Sequence, residues 1–478
     1  MGKIFYLLGI WCLLTGTPFV YGQSANIAPA TSITAGAPDS SYLIVNDIII
    51  QGNKRTRTSI ILRELSLTPG DTIRLKDLAE TLEERRKQLL NISLFLNVTA
   101  NIKNWNGQYA DVIFEVWERW YTFPIPIFKL ADRNFNQWWV EQGRSLDRVN
   151  IGVRLIQENM TGRRDDLHAD IQFGYTQRFA LGYNVPYIDK NYRHGAGILV
   201  SYSRNREVNE STSSGNKQQF FRNVDFQRQA YSIGLNYSYR RAINTRHRVY
   251  LSYNYEKVGD SVVLLNPDYL GKGRNEVRYL ELNYRMNYIK ADSWIYPLKG
   301  LTIVAEAGKK GIGPLSDIDD IRLRLEAVKY WQLAPKTFGA LGIRSQAKFG
   351  GDQPYVNQKA IGYSDDYLRG LEYFVVDGTS YFIFKSTLRQ ELLSFKVHLP
   401  IVPKKFSTVP FRILAKTYAD MGYAYNKFPK GATLDNRFLY SGGVGFDIVS
   451  FYDTCLRIEY SVNQLGQKGL FLHTQLDM

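Results

Sequence analysis

Tyr231-Ser232-Ile233-Gly234-Leu235-Asn236-Tyr237-Ser238-Tyr239-Arg240 decides how this chain folds. Bulky apolar side chains at the odd positions alternate with Ser, Gly, Asn and Arg at the even ones. Successive side chains of a strand point to opposite faces, so the run reads as a β-strand with one apolar and one polar face. The same period continues downstream. Val249, Leu251, Tyr253 and Tyr255 alternate with Tyr250, Ser252, Asn254 and Glu256. Leu280, Leu282, Tyr284 and Met286 alternate with Glu281, Asn283 and Arg285, and Ile321, Leu323 and Leu325 with Arg322, Arg324 and Glu326. Each face is continuous for about 9–11 residues, the length a tilted strand needs to cross a bilayer.

A water-soluble sandwich also alternates, but it buries its apolar face in a core. From about residue 122 to the end no helical period offers a cover for the sheet. Arg, Glu and Asn recur on the polar face, as a hydrated lumen permits. A closed barrel leaves no unpaired sheet edge in lipid. Composition points the same way, with 33 Tyr, 25 Phe, 8 Trp and 38 Gly in 478 residues and a slightly negative mean hydropathy. An aromatic-rich outer surface around a polar lumen produces that balance. The fold class read from the sequence is therefore membrane all-β, a transmembrane antiparallel β-barrel of about 16 strands. The strands are predicted to begin near Phe123, Val149, Leu167, Phe179, Gly197, Phe226, Arg248 and Val277. The others begin near Leu301, Ile321, Phe338, Tyr381, Val409, Phe438, Tyr452 and Lys468, the last carrying Leu470, Leu472, Thr474, Leu476 and Met478 on one face.

Ahead of the barrel the pattern differs. Residues 1–22 read as a signal peptide, with Lys3 as the positive start, an apolar run over 4–14 and a small-residue ending at Val20-Tyr21-Gly22. Cys12 lies in that run, so the mature chain keeps only Cys455 and forms no internal disulfide. Residues 23–40 are small, polar and aperiodic, a flexible leader. Residues 41–119 follow a β-α-α-β-β order, and 120–478 form the barrel. In the small domain an apolar strand over 42–51 ends at Gly52-Asn53, a short helix covers 58–65, and Pro69-Gly70-Asp71 breaks it. A longer helix is predicted over 74–90, with Leu75, Leu78, Leu82 and Leu89 at helical spacing. Two strands follow, marked by Val98, Ala100 and Ile102 and by Val112, Phe114 and Val116.

Several function classes are excluded at this level. The formal charge of +15 invites a nucleic-acid reading, but the basic residues are scattered among strands and turns rather than gathered on one helix or arm. The five histidines, His168, His194, His247, His398 and His473, show no metal-ligand spacing, so neither metal nor cofactor is expected. Cys455 shares a face with Asp453, Arg457 and Glu459 and reads as a lumen-side packing residue. Neither a Gly-x-Ser-x-Gly elbow nor a phosphate loop occurs. No enzyme is expected.

Particular motifs add a family resemblance. Residues 48–56 (IIIQGNKRT), Leu67-Thr68-Pro69-Gly70-Asp71 and the stretch 91–98 resemble a POTRA domain. This is the periplasmic module of the BamA/TamA-type outer-membrane assembly and translocation superfamily. Asn159-Met160-Thr161-Gly162-Arg163-Arg164 is similar to the family's first periplasmic turn, and residues 183–189 (YNVPYID) to a strand-ending motif. Residues 292–300 (DSWIYPLKG) resemble the turn that opens a strand, and 418–423 (YADMGY) and 441–446 (SGGVGF) the last barrel motifs. A single POTRA-like domain is present, where several relatives carry more, and Met478 stands where an aromatic residue commonly ends such barrels.

Within the long segment of roughly 350–379 lies Tyr367-Leu368-Arg369-Gly370-Leu371-Glu372. Arginine carries five donors and stays charged, so inside a barrel it must find carboxylates; read on its residues alone, without that context, the stretch reads first as an exposed loop arginine. Glu391 and Asp420 are the candidates on the following strands. The resemblance makes this segment the sixth extracellular loop, folded back into the lumen with a Leu368-Arg369-Gly370 tip and Leu371 in place of the usual aromatic. It implies that Arg369 pairs with Glu391 of strand twelve and Asp420 of strand thirteen. It also implies a weak seam between first and last strands, near Pro124 and Pro126 on one side and Leu470 and Leu472 on the other. The implied location is the outer membrane of a Gram-negative bacterium, with unfolded outer-membrane or secreted client polypeptides, the lipid bilayer and accessory subunits as partners, and no nucleic acid. An accessory or scaffolding barrel subunit and a passive transport pore are the alternatives.

Overall fold

The computed structural model describes residues 41–473, except 93, 133, 134, 136, 190, 192, 241, 243, 294, 295, 315, 352, 399–407, 430 and 451–454. The signal-peptide and leader expectations lie outside the described residues, as do Tyr452, Asp453, Thr474, Leu476 and Met478. Contacts divide the chain into two units. The first takes in residues up to Pro126 with Val153–Asp170 and Leu181–Gly195, and the second takes in the remainder.

In the first unit the apolar periods close a small α+β core. Strand β1 (Tyr42–Gln51), helix α1 (Thr58–Glu64), β2 (Thr72–Arg74), α2 (Leu78–Asn91), β3 (Phe95–Lys103) and β4 (Tyr109–Glu118) follow in order. The sheet order is β2-β1-β4-β3, with β1 and β4 parallel. Leu43, Val45, Ile61, Leu65, Leu78, Leu89, Val98, Val112 and Phe114 meet in one core, and each such side chain contributes about 1.5–3 kcal/mol by leaving water. One element differs from the sequence expectation. The second helix begins at Leu78 rather than Arg74, because Thr72–Arg74 pairs antiparallel with β1. The Pro69-Gly70-Asp71 turn causes this: the Asp71 carboxylate accepts from the Thr68 amide at 2.7 Å, and the Leu75 amide reaches back to Ser41 O at 3.0 Å.

The turn at Asn159–Arg164, expected from the sequence as a barrel turn, lies against the β1–α1 connection of this domain. The Arg57 amide donates to Gly162 O at 3.0 Å, and the Arg55 guanidinium donates to Met160 O at 2.7 Å. Buried Asn159 Nδ2 donates to Thr56 Oγ1 at 2.9 Å, and Thr56 Oγ1 lies 3.2 Å from Tyr121 Oη. Gly162 has φ +81°, and a Cβ there would stand 2.2 Å from Arg55 O. Only glycine fits so close a backbone approach. Asp165 closes the turn by accepting from the Thr161 amide at 2.9 Å and the Tyr183 hydroxyl at 2.6 Å. Burial raises the affinity of the Asp165 carboxyl for its proton, but the Tyr183 and Thr161 donors outweigh it and hold the group below its ordinary range.

A sixteen-stranded sheet takes its strands in chain order from Thr122–Leu130 to Lys468–His473. This is the expected barrel. Most strands begin within three residues of the positions read from the sequence; the fifteenth, expected at Tyr452, is described from Cys455. Tyr231, Ile233, Leu235 and Tyr237 are each between 42% and 56% exposed on one face. Ile233 lies opposite Tyr253 and Leu235 opposite Leu251 on the neighbouring strand, so the apolar rows continue across the ladder. Such a surface needs a nonaqueous cover. Among the described residues no helix is long and apolar enough to cross a membrane.

Candidate functional site in the barrel

The segment between the eleventh strand (Thr337–Phe349) and the twelfth (Ser380–His398) turns inward at Leu368–Leu371. The Leu371 amide bonds to Leu368 O at 3.0 Å and the Phe374 amide to Leu371 O at 2.9 Å, giving two successive turns. Leu368 and Leu371 are buried in an apolar cluster with Ile361, Phe374, Tyr381 and Leu439. Gly370, at φ +87°, passes the wall so closely that a Cβ would meet Ser461 Cβ at 2.8 Å. Its carbonyl accepts from Asn463 Nδ2 at 2.8 Å, and its amide donates to Glu372 Oε2 at 2.7 Å.

Arg369 is 1% exposed. Its Nε donates to Asp420 Oδ2 at 2.9 Å, a second guanidinium nitrogen pairs with Asp420 Oδ1, and its own amide donates to Oδ2 at 3.1 Å. Another nitrogen donates to Thr387 Oγ1 at 2.9 Å and a third contact reaches Ser386 O at 3.2 Å. The Tyr418 ring lies beneath the guanidinium, 4.0 Å from its carbon to the ring centroid. Two-pronged charge-assisted bonding with an aromatic face is the arrangement arginine's planar fork supports and lysine's point charge does not.

Glu391, expected as the second carboxylate, is not at this site. It accepts from Arg412 Nε at 3.1 Å and from a second Arg412 nitrogen at 2.6 Å. The reason is height along the barrel. Thr387 is the strand-twelve residue level with Arg369, and Glu391 lies four residues beyond, about 13 Å at strand rise. Thr387 in turn faces Tyr418 and Glu391 faces Leu414 across the ladder.

A second charged layer adjoins the first. Lys416 Nζ lies 2.6 Å from Asp447 Oδ1 and 2.5 Å from Glu459 Oε1, and Arg389 Nε lies 3.3 Å from Asp447 Oδ2. The Tyr296 hydroxyl donates to Asp447 Oδ2 at 2.6 Å. His473 Nε2 stands 3.4 Å from both Glu372 and Glu459, and these three side chains each offer one ligand atom within 4.8 Å of the others. Lys416, already on Glu459, competes with any cation there. Cys455 is buried with Tyr296, Leu298, Phe338, Leu414 and Val449, in packing rather than in chemistry.

Of the seam residues, Pro124 and Pro126 are exposed on the first strand beside buried Phe123 and Ile127. Leu470 and Leu472 are exposed on the last strand, flanking buried Phe471. Sequence reasoning missed Thr387, Tyr418, Glu372, Asn463 and His473. Tyr418 and Asn463 had a signal, since each continues a period-two row that carries Asp420 or Glu459.

Comparison with known proteins places these features. A family model for POTRA, described as a surface antigen variable number repeat, matches residues 43–119. The small domain is a POTRA domain. The crystal structure of BamA from Haemophilus ducreyi lacking POTRA domains 1–3 is similar, with a TM-score of 0.60 at 14% identity, covering 90% of this chain and 83% of that one. CdiB from Escherichia coli aligns with a TM-score of 0.49 at 10% identity, over 93% of this chain and 92% of that one. CdiB from Acinetobacter baumannii gives 0.49 at 12% identity, over 90% and 73%. The likeness to BamA establishes the POTRA-plus-barrel fold. No curated protein sequence matches the chain significantly.

Proposed function

We propose that this protein is an outer-membrane barrel of a Gram-negative bacterium that inserts other barrel proteins or carries polypeptides across the membrane, with its POTRA domain in the periplasm. One observation carries the reading: a POTRA domain over residues 43–119 precedes a sixteen-stranded sheet of the BamA fold. The chemistry required is strand pairing rather than bond making. Strand β3 is an edge of the POTRA sheet and nine residues long, which suits β-augmentation by an unfolded client. Pro124 and Pro126 cannot donate to a ladder, so a seam at the first strand starts with fewer bonds to break. The Arg369–Asp420 pair acts as a lock that keeps the loop inside the lumen and limits passive flow.

Depletion in the parent organism followed by quantitative proteomics of its outer membrane tests the proposal. Loss of many barrels is expected for general assembly and loss of one secreted product for dedicated export. An unchanged outer membrane, with a stable stoichiometric partner on purification, would sink both and favour a scaffold. For the lock, conductance in planar bilayers should be low for the native chain and larger for Arg369→Ala. Equal, large conductance in both would favour a passive pore. Disulfide crosslinks between first and last strands should abolish activity if the seam opens.

A further inference from the structure

Away from the Arg369 cluster, a cavity of about 390 Å³ opens on the polar side of the sheet beneath the long loops. Arg228, Lys310, Lys359, Glu256, Tyr279 and Asn357 are among its walls. Arg228 Nε donates to Glu256 Oε1 at 2.7 Å, and both side chains line the space. Lys310 and Lys359 are a different case. Among the described residues neither has a carboxylate within ion-pair reach; Lys310 Nζ donates to Asn357 Oδ1 at 3.3 Å and lies 5.5 Å from the centroid of the Tyr279 ring, and Lys359 Nζ lies 5.6 Å from the centroid of the Tyr363 ring. Lys348 stands behind them, its ammonium on the Asn357 carbonyl and likewise without a carboxylate partner. Nearby acids are engaged elsewhere: Glu207 with Arg148, and Asp377 with the Thr212 and Tyr363 hydroxyls.

We propose that this cavity binds a phosphate dianion, free or as the phosphomonoester of a lipid headgroup, between Arg228, Lys310 and Lys359. Half-buried like charges that face one space repel at reduced dielectric, and an anion among them turns repulsion into charge-assisted bonds. Phosphate or a phosphomonoester carries close to two negative charges near neutral pH, matching the excess of Arg228, Lys310 and Lys359 over the Glu256 carboxylate in the same wall. The guanidinium supplies a flat pair of donors and the Asn357 amide, Tyr269 and Tyr279 further polar edges. The volume admits a phosphate with its waters, and a polypeptide does not fit.

Thermal unfolding of the full-length protein in a phosphate-free zwitterionic detergent tests this, with chloride replaced by phosphate or glycerol 3-phosphate at matched ionic strength. A second arm adds monophosphoryl lipid A or its dephosphorylated form. A saturable rise in Tm with free phosphate assigns the site to the soluble ion. A rise with the phosphorylated lipid alone assigns it to the headgroup. Lys310→Gln and Lys359→Met should each weaken the apparent Kd at least tenfold, while their Tm in chloride equals or exceeds the native value because repulsion is relieved. Should Lys359→Met fail to fold, ³¹P line broadening with Lys310→Gln gives the same comparison. A Tm unmoved by every phosphate source, or an equal response in the native and variant chains, overturns the proposal.

Discussion

Two turns of this molecule dock against other parts of their own units, and they do so by opposite means. The Leu368–Leu371 turn is held by a fully buried ion pair, whereas the Asn159–Arg164 turn is held by several separate bonds from Arg55, Thr56 and Arg57, most of them to its backbone carbonyls. A buried ion pair stabilises little relative to apolar packing, but losing one partner strands the other charge in a dry site. A latch of several separate bonds distributes its energy, each bond contributing about 1–3 kcal/mol. Loss of one partner should therefore release the first at a stroke, whereas the second is a seat that should loosen gradually.

The comparison predicts its own breaking points. Asp420→Ala should cost about 3–5 kcal/mol, because Arg369 stays buried and charged, and limited proteolysis should cut within 350–379 only in that variant. Uncut loops in Asp420→Ala would mean the apolar cluster around Leu368 and Leu371 holds the tip alone. Gly162→Ala should cost about 1–3 kcal/mol through strain at a positive φ and the close Arg55 carbonyl. Amide exchange at Arg57 reads this directly, and unchanged protection there would refute the seat. Glu391→Ala should cost no more than about 1 kcal/mol, since it releases only the part-exposed Arg412, and should leave the loop uncut. The smallest effect is on pH. Asp165 has a depressed proton affinity when folded, so its contribution is complete above the unfolded carboxylate value of about 3.9 and fades as pH falls through the lower folded value. Thr161 amide protection should fall below pH 4 in the native chain, and Asp165→Asn should lack that pH dependence.

The barrel was legible because alternation is a local signal: Ile233 and Leu235 declare their face without knowledge of any neighbour. Which residues share the polar face was legible for the same reason, and that face carries Asp420, which bonds Arg369. Which of them stands level with Arg369 was not. Lys385, Thr387, Arg389 and Glu391 all lie on one face of strand twelve, and their heights relative to a loop arriving from outside depend on the strand register and the loop's own turns. Glu391 was therefore a plausible partner by face and a wrong one by height. The three-residue strand Thr72–Arg74 escaped notice for a related cause, since its pairing with Tyr42–Ile44 is set by a turn and not by its own short pattern.

The tip of the Arg369 turn has a mechanical consequence. It is fastened to strand twelve through Thr387 and Ser386, to strand thirteen through Asp420, and to strand fifteen through Asn463, with Glu372 facing His473 on strand sixteen. It is a cross-brace. A ladder pulled apart from its edge yields one rung after another under small force, but strands tied by a common brace share the load and must yield together. Tension applied at the last strand would travel through the loop into strands twelve and thirteen, so the C-terminal part of the wall would move as one stiff panel.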